Sequence, residues 1–374
     1  MGHTVDEQHS AAGTMTGRRQ GGGDAGILNQ YVEEPTTKPT NLARVCGTVI
    51  DIHCHTAGIG AGNSGCFISP ELRKSWKYKV YLNSFGVREH ELLQHGDKLV
   101  LQRLSESLTA SGTVDLAVVL AMDGALDSQG KLDQSCTEMY IPNDFLAEAV
   151  KKHPNLRFGA SINPYCRDAL EQLDKAVEAG AVLMKWLPSI QHIDPADRCL
   201  LPFYQRMQQH GLPLLTHTGD EASFTYARNE LADPQRLRPA LEQGVTVIAA
   251  HAAANGTNEG EHNFARFLRL CDQHPNLHAD ISALTQINRP GQLRRLIQQH
   301  HLHGRLHYGT DMPLTNTPLV SPLGHLTRLA PWTVARLMAI KNPWDRDLHL
   351  KRALGVPEEV FSNPARLLKI QKDR

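Results

Sequence analysis

Eight short apolar runs recur between residues 47 and 311, and helical segments separate them. They cover 47 to 55, 114 to 122, 156 to 162, 181 to 187, 212 to 217, 245 to 251, 277 to 283 and 305 to 311. Runs that stay apolar from end to end, rather than alternating with polar residues, mark strands buried on both faces, as in a parallel sheet. The segments between them space their apolar residues helically at 144 to 153, 168 to 179, 202 to 210 and 234 to 243. Each stops at a helix breaker: His153-Pro154, Gly180, Gly211 and Gly244. Eight buried strands with intervening helices is the count of a (β/α)8 TIM barrel, an α/β fold that carries its chemistry at the C-terminal strand ends.

Those ends are where the informative side chains fall. The first run closes with Asp51-Ile52-His53-Cys54-His55. Strand alternation predicts Asp51, His53 and His55 on one face, with Asp51 a layer deeper, and Ile52 and Cys54 on the other. Two imidazoles at one strand tip form a metal-chelating pattern. Four later runs also end in a candidate ligand: Lys185, His217, His251 and Asp311. A doubly wound open sheet would not bring five separate strand ends to a common axis, whereas a barrel does.

With 39 Lys plus Arg against 39 Asp plus Glu, the chain of 374 residues has no net charge that would advertise nucleic acid or an acidic membrane surface. Its seven cysteines are odd in number and form no Cys-x-x-Cys pair, which disfavours a disulfide framework or a zinc ribbon. No signal-type segment or uninterrupted apolar run of spanning length is present, so a soluble, cytoplasmic protein is expected. Residues 1 to 44, including Gly21-Gly22-Gly23, lack a sustained apolar period and are expected to form a flexible arm, with the barrel over 45 to 374. Long connections at 57 to 88, 123 to 143 and 312 to 342 leave the C-terminal ends of strands, where substrate pockets are built.

The strand-tip set, together with the closing Leu-Gly-Val-Pro-Glu-Glu-Val-Phe-Ser-Asn-Pro-Ala-Arg-Leu-Leu, resembles the amidohydrolase superfamily of metal-dependent barrel hydrolases, in its amidohydrolase-related branch. The resemblance covers roughly residues 46 to 370. It implies that His53, His55 and Asp311 bind a first divalent metal. His217 and His251 would bind a second, with Lys185 bridging the two as a carbamate. In the mononuclear variant of this pattern, His53, His55, His217 and Asp311 hold one ion, His251 moves protons and Lys185 meets substrate. Nitrogen and oxygen donors suit zinc first, with manganese, iron or cobalt compatible.

Such an ion lowers the pKa of bound water from about 15.7 toward about 7 and polarises a carbonyl. The implied activity is hydrolysis of a small-molecule amide, lactone or ester, with Asp311 as proton carrier. The alternative keeps the metal and makes the protein a non-oxidative decarboxylase or hydratase of an aromatic or unsaturated carboxylic acid. A barrel that only binds a ligand is a further reading, against which the intact donor set argues. The partner is a small molecule, and a homo-oligomer is compatible with the sequence, which does not set the oligomeric state.

Several residues carry plainer readings. His300, His301 and His303 are expected in solvent, and His278 and His307 inside the fold as core or supporting groups. Cys54 is expected as a small buried hydrophobe. Arg73 and Tyr78, in the cluster from 73 to 81, form either a solvated face or a substrate-binding lid that recognises a carboxylate or phosphate. Glu221, four residues past His217, is a candidate substrate contact from the fifth strand's loop.

Overall fold

In a computed structural model, residues 47 to 370 are described. The arm expected over residues 1 to 44 lies outside them. Eight parallel strands form one sheet: β1 (Ile50–His55), β2 (Leu116–Leu120), β3 (Leu156–Ala160), β4 (Ala181–Trp186), β5 (Leu214–Thr216), β6 (Val247–Ala249), β7 (Leu277–Asp280) and β8 (Leu306–His307). They pair strictly in chain order, and each falls within one of the eight apolar runs. The last strand returns to the first: Ile52 N–H donates to Tyr308 O, Asp311 N–H to His53 O and His55 N–H to Met312 O. These bonds close the sheet into a (β/α)8 barrel.

Helix boundaries follow local chemistry. Leu201–His210 ends on Gly211 in the left-handed region, and Pro343–Ala353 starts on an Asn342 cap that accepts the Trp344 and Asp345 amides. The helix expected over 234 to 243 splits into a 3-10 turn, Pro234–Leu237, and a short helix, Arg238–Glu242. Pro239 divides it, because it lacks the N–H that an uninterrupted ladder from Pro234 would need there, while Pro234 merely opens the first turn.

Alternate residues of the strands serve two cores. Ile50, Ile52, Leu116, Val118, Leu120, Leu183, Leu215 and Ile248 fill the barrel interior. Val119, Met184, Leu214, Val247 and Leu306 face the helical layer. Leu367, Leu368 and Ile370 pack against the inner core beside Val182, at the start of β4, and so sit at the end opposite the strand tips. The connections after β1 and β2 interlock above the mouth, where Phe67–Ile68 pairs with Met139–Tyr140. Among the described residues no helix is long and apolar enough to cross a membrane, and the six described cysteines are unpaired.

Candidate metal centre

Strict alternation in β1 fails at one place, and the failure builds the site. Asp51 pairs with Ala117 and Cys54 with Val119, so three steps of β1 face two of β2. One extra residue is a β-bulge, which re-aims the side chains after it. Asp51 therefore does not share the face of His53 and His55. It points into the helical layer, where its carboxylate accepts Trp344 Nε1 at 2.9 Å and Thr310 Oγ1 at 2.6 Å and fastens β1 to the chain after β8. His53 turns inward next to Ile52, and Cys54 joins the outer core.

Beyond the bulge, three donor atoms converge. His53 Nε2 and His55 Nε2 are 3.1 Å apart, and Asp311 Oδ1 lies 3.5 Å from the first and 3.4 Å from the second. A point in the plane of that triangle is about 1.9 Å from all three atoms. Coordination bonds to nitrogen and carboxylate oxygen run at about 2.0–2.2 Å, so the spacing of these three donors suits a divalent cation. Asp311 reaches this position with a left-handed φ of 62°. His251, Ala252 and Ala253 at the tip of β6 are left-handed as well, at 57°, 51° and 49°. Non-glycine residues in that region carry strain of order 1–3 kcal/mol each and gather at functional sites.

A second group of donors, His53, His251 and Asp280, meets the same closeness, but His53 and Asp280 are already hydrogen-bonded to each other and His251 Nδ1 is turned to Ser282. Asp280, at the end of β7, receives His53 Nδ1 at 2.6 Å on one oxygen. Its other oxygen accepts the His251 backbone N–H at 2.8 Å and the Ser282 hydroxyl at 2.6 Å. Since Asp280 takes the proton side of His53, Nε2 keeps its lone pair for the triangle. His251 points Nδ1 at the Ser282 carbonyl, 3.1 Å away, which can only accept. The proton is therefore on Nδ1, and Nε2 is again the basic nitrogen. Gly309 makes this packing feasible, because a Cβ there would lie 2.9 Å from His53 Cβ.

Electrostatics hold the set in a metal-ready state. Burial, aided by the Lys185 charge, pushes the His53 imidazole down to about 4. Burial likewise lowers His217, and takes His251 well below its usual value. Burial alone would raise Asp311, but the His53, His55 and His251 imidazoles hold it well below the carboxylate range. Neutral imidazoles beside an ionised carboxylate are the forms a cation binds. Lys185 is fully buried with Nζ 2.8 Å from His53 Nε2, and burial brings its amine down to about 8 against the pull of Asp280, Asp311 and Glu221.

His217 stands beside His251, ring centres 5.4 Å apart. Its buried Nε2 has no hydrogen-bond partner, the nearest carboxylate being Glu221 Oε2 at 3.8 Å. The structure thus gathers His53, His55, Lys185, His217, His251, Asp311 and Glu221 around one mouth. It does not bring Arg73 or Tyr78 there. Arg73 donates to Glu89 on a half-exposed surface, and Tyr78 is buried with Leu82 on the inner face of Trp76–Ser84. Three residues along that helix, Tyr81 feels the charges of Glu221 and Asp311. Tyr81 closes the 73-to-81 cluster read from sequence, whereas Asp280 and Ser282 are not singled out there. Asp280 had a usable signal, since it ends the seventh run as the other candidates end theirs.

Residues 50–340 match the model of the family described as Amidohydrolase. Among solved structures, an uncharacterised TIM-barrel protein of Bordetella bronchiseptica shares 17% identity at a TM-score of 0.53, over 86% of this chain and 98% of that one. A probable 2-pyrone-4,6-dicarboxylic acid hydrolase of Acinetobacter baumannii shares 14% at 0.49, over 86% and 100%. A 5-carboxyvanillate decarboxylase of Sphingomonas paucimobilis shares 12% at 0.49, over 87% and 100%. No curated protein matches.

Proposed function

The chain belongs to the amidohydrolase family, and from that premise we propose that it is a metal-dependent hydrolase of a small-molecule amide, lactone or ester. The observation that carries this reading is the triangle of His53 Nε2, His55 Nε2 and Asp311 Oδ1, with sides that suit one divalent cation. The nitrogen and oxygen donors favour zinc. When bound, such an ion lowers the pKa of water toward about 7 and draws electrons from a carbonyl.

The protein's own groups do the rest. Asp311, ionised at neutral pH, takes the proton of the attacking water and delivers it to the departing nitrogen or oxygen, so water adds across the broken bond. His251, with Nε2 basic, is placed either to hold a second ion with His217 or to relay that proton. Asp280 and Ser282 fix both imidazoles. Lys185 is the amine that would add to CO2, releasing a proton and leaving a carbamate able to bridge two ions. Glu221 and Tyr81 border the space where substrate enters.

The test is a panel of lactones, N-acyl compounds and esters given to the full-length protein with added zinc or manganese. Aromatic and dienoic acids are included, with CO2 release monitored. Hydrolysis that a chelator stops and metal restores is the expected result. CO2 release without hydrolysis would replace this reading with a lyase. Intact-mass measurement under CO2 reports the carbamate.

A further inference from the structure

The loop that follows β7 carries three buried polar atoms with no hydrogen-bond partner: Thr285 Oγ1, Gln286 Nε2 and Arg289 Nη1. Unpaired buried polar atoms are uncommon in folded proteins, and of the three the nitrogen of the partly exposed Arg289 guanidinium belongs to a charged group, for which lacking a partner is most unfavourable. Their arrangement is local. Gln286 N–H donates to Ala283 O at 3.1 Å and Arg289 N–H to Gln286 O at 3.0 Å. Such bonds between residues three apart bring the side chains of Gln286 and Arg289 to one side of the loop.

The loop starts from Ser282, whose hydroxyl lies 2.9 Å from His251 Nδ1 and 3.0 Å from His53 Nδ1 at the metal centre. The carboxylates of Asp311, Glu221 and Asp280 act on the Arg289 guanidinium, and its charge in turn disfavours protonation of His217 and His251. No salt bridge joins Arg289 to any of those carboxylates. Two of the three atoms can only donate, and the Thr285 hydroxyl can do so, so what they lack is an acceptor with negative charge. A carboxylate answers this, since its two oxygens match the planar guanidinium fork while the amide adds a third bond.

We infer that Arg289, with Gln286, binds a carboxylate of the substrate and thereby sets the bond to be broken against the metal centre. This rests on the proposed hydrolase reading and narrows its substrate class to lactones, amides or esters that bear a free carboxylate. Arg289 is then a specificity-determining residue in direct contact with substrate.

The test uses full-length, metal-loaded protein with glutarate and its neutral counterpart glutaramide as probes, read by calorimetry and thermal unfolding. Glutarate should bind and raise the unfolding temperature, and glutaramide should do neither. Arg289→Met should weaken glutarate at least tenfold while keeping the metal content, and should itself unfold at a higher temperature without ligand, because a shielded guanidinium nitrogen without a partner is gone. A merely structural arginine would give the opposite, a less stable variant. Unchanged glutarate affinity in Arg289→Met, with the anion held by the metal alone, would overturn the inference, as would equal binding of glutaramide. These readouts need no turnover, so they stand apart from failure of the hydrolase assay. Where a substrate is found, Arg289→Met should raise KM for its carboxylate form and leave the methyl ester unaffected.

Discussion

Two sets of histidines face the interior of the same barrel, and they differ in what surrounds them. At the mouth, His53, His55, His217 and His251 stand among Asp280, Asp311 and Glu221, and nitrogens of His53 and His55 point at a common space. Toward the floor, His278 and His307 stack on each other, with Nδ1 of the first 2.8 Å from Nε2 of the second. That pair spends its bond internally and has no carboxylate in contact. Burial lowers the imidazole pKa in both places, to about 4 for His53 and about 4 for His278, so a depressed pKa does not distinguish a site from a core. Convergence of lone pairs with an ionised carboxylate does.

The sharpest way to break this contrast is to remove the carboxylate. Asp311→Asn keeps the shape but loses the charge and the proton acceptor, and kcat should fall by about 10²–10⁴ with the fold retained by circular dichroism. Undiminished turnover would strip Asp311 of its role. Next, Asp280→Asn should weaken metal affinity by about 10–100-fold, since His53 would lose the acceptor that fixes its tautomer, as competition with a chromophoric chelator can show. An unaltered affinity would make Asp280 a packing group only.

At the floor the expectation reverses. His278→Leu leaves His307 Nε2 buried and unpaired, so it should lower stability by about 1–3 kcal/mol in urea unfolding while kcat of the folded enzyme is unchanged. A loss of kcat there would mean that the two sets are coupled.

A smaller effect is expected from acid. His278 and His307 are neutral in the folded protein, whereas unfolded histidine binds a proton near 6.5, so falling pH favours the unfolded chain. Stability from these groups is complete above about pH 6.5 and declines toward pH 4. His278→Leu should lose less stability than the native chain between those values, which urea midpoints across pH can measure.

Much of the frame was legible in residue order, because buried parallel strands and their helix stops leave strong local patterns. Each of the eight runs contains a barrel strand, and His53, His55, Lys185, His217, His251 and Asp311 share one mouth. What could not be read depends on neighbours distant in sequence. The bulge that turns Asp51 outward is a mismatch between β1 and β2, invisible in β1 alone. Asp280 looks like any strand acid until β1 and β6 are placed beside it. Tyr81 rather than Tyr78 feels the charges of Glu221 and Asp311, because Tyr78 and Leu82, one helical turn apart, take the buried face. Arg289 gave no signal at all, since its meaning lies in lacking a partner.

The most direct test is anomalous diffraction from crystals of the full-length protein grown with zinc. An ion at the strand tips should give a peak about 2.0–2.2 Å from His53 Nε2, His55 Nε2 and Asp311 Oδ1 together. Ordered density for all three side chains with no peak between them, at zinc concentrations that load other surface sites, would contradict a metal centre there.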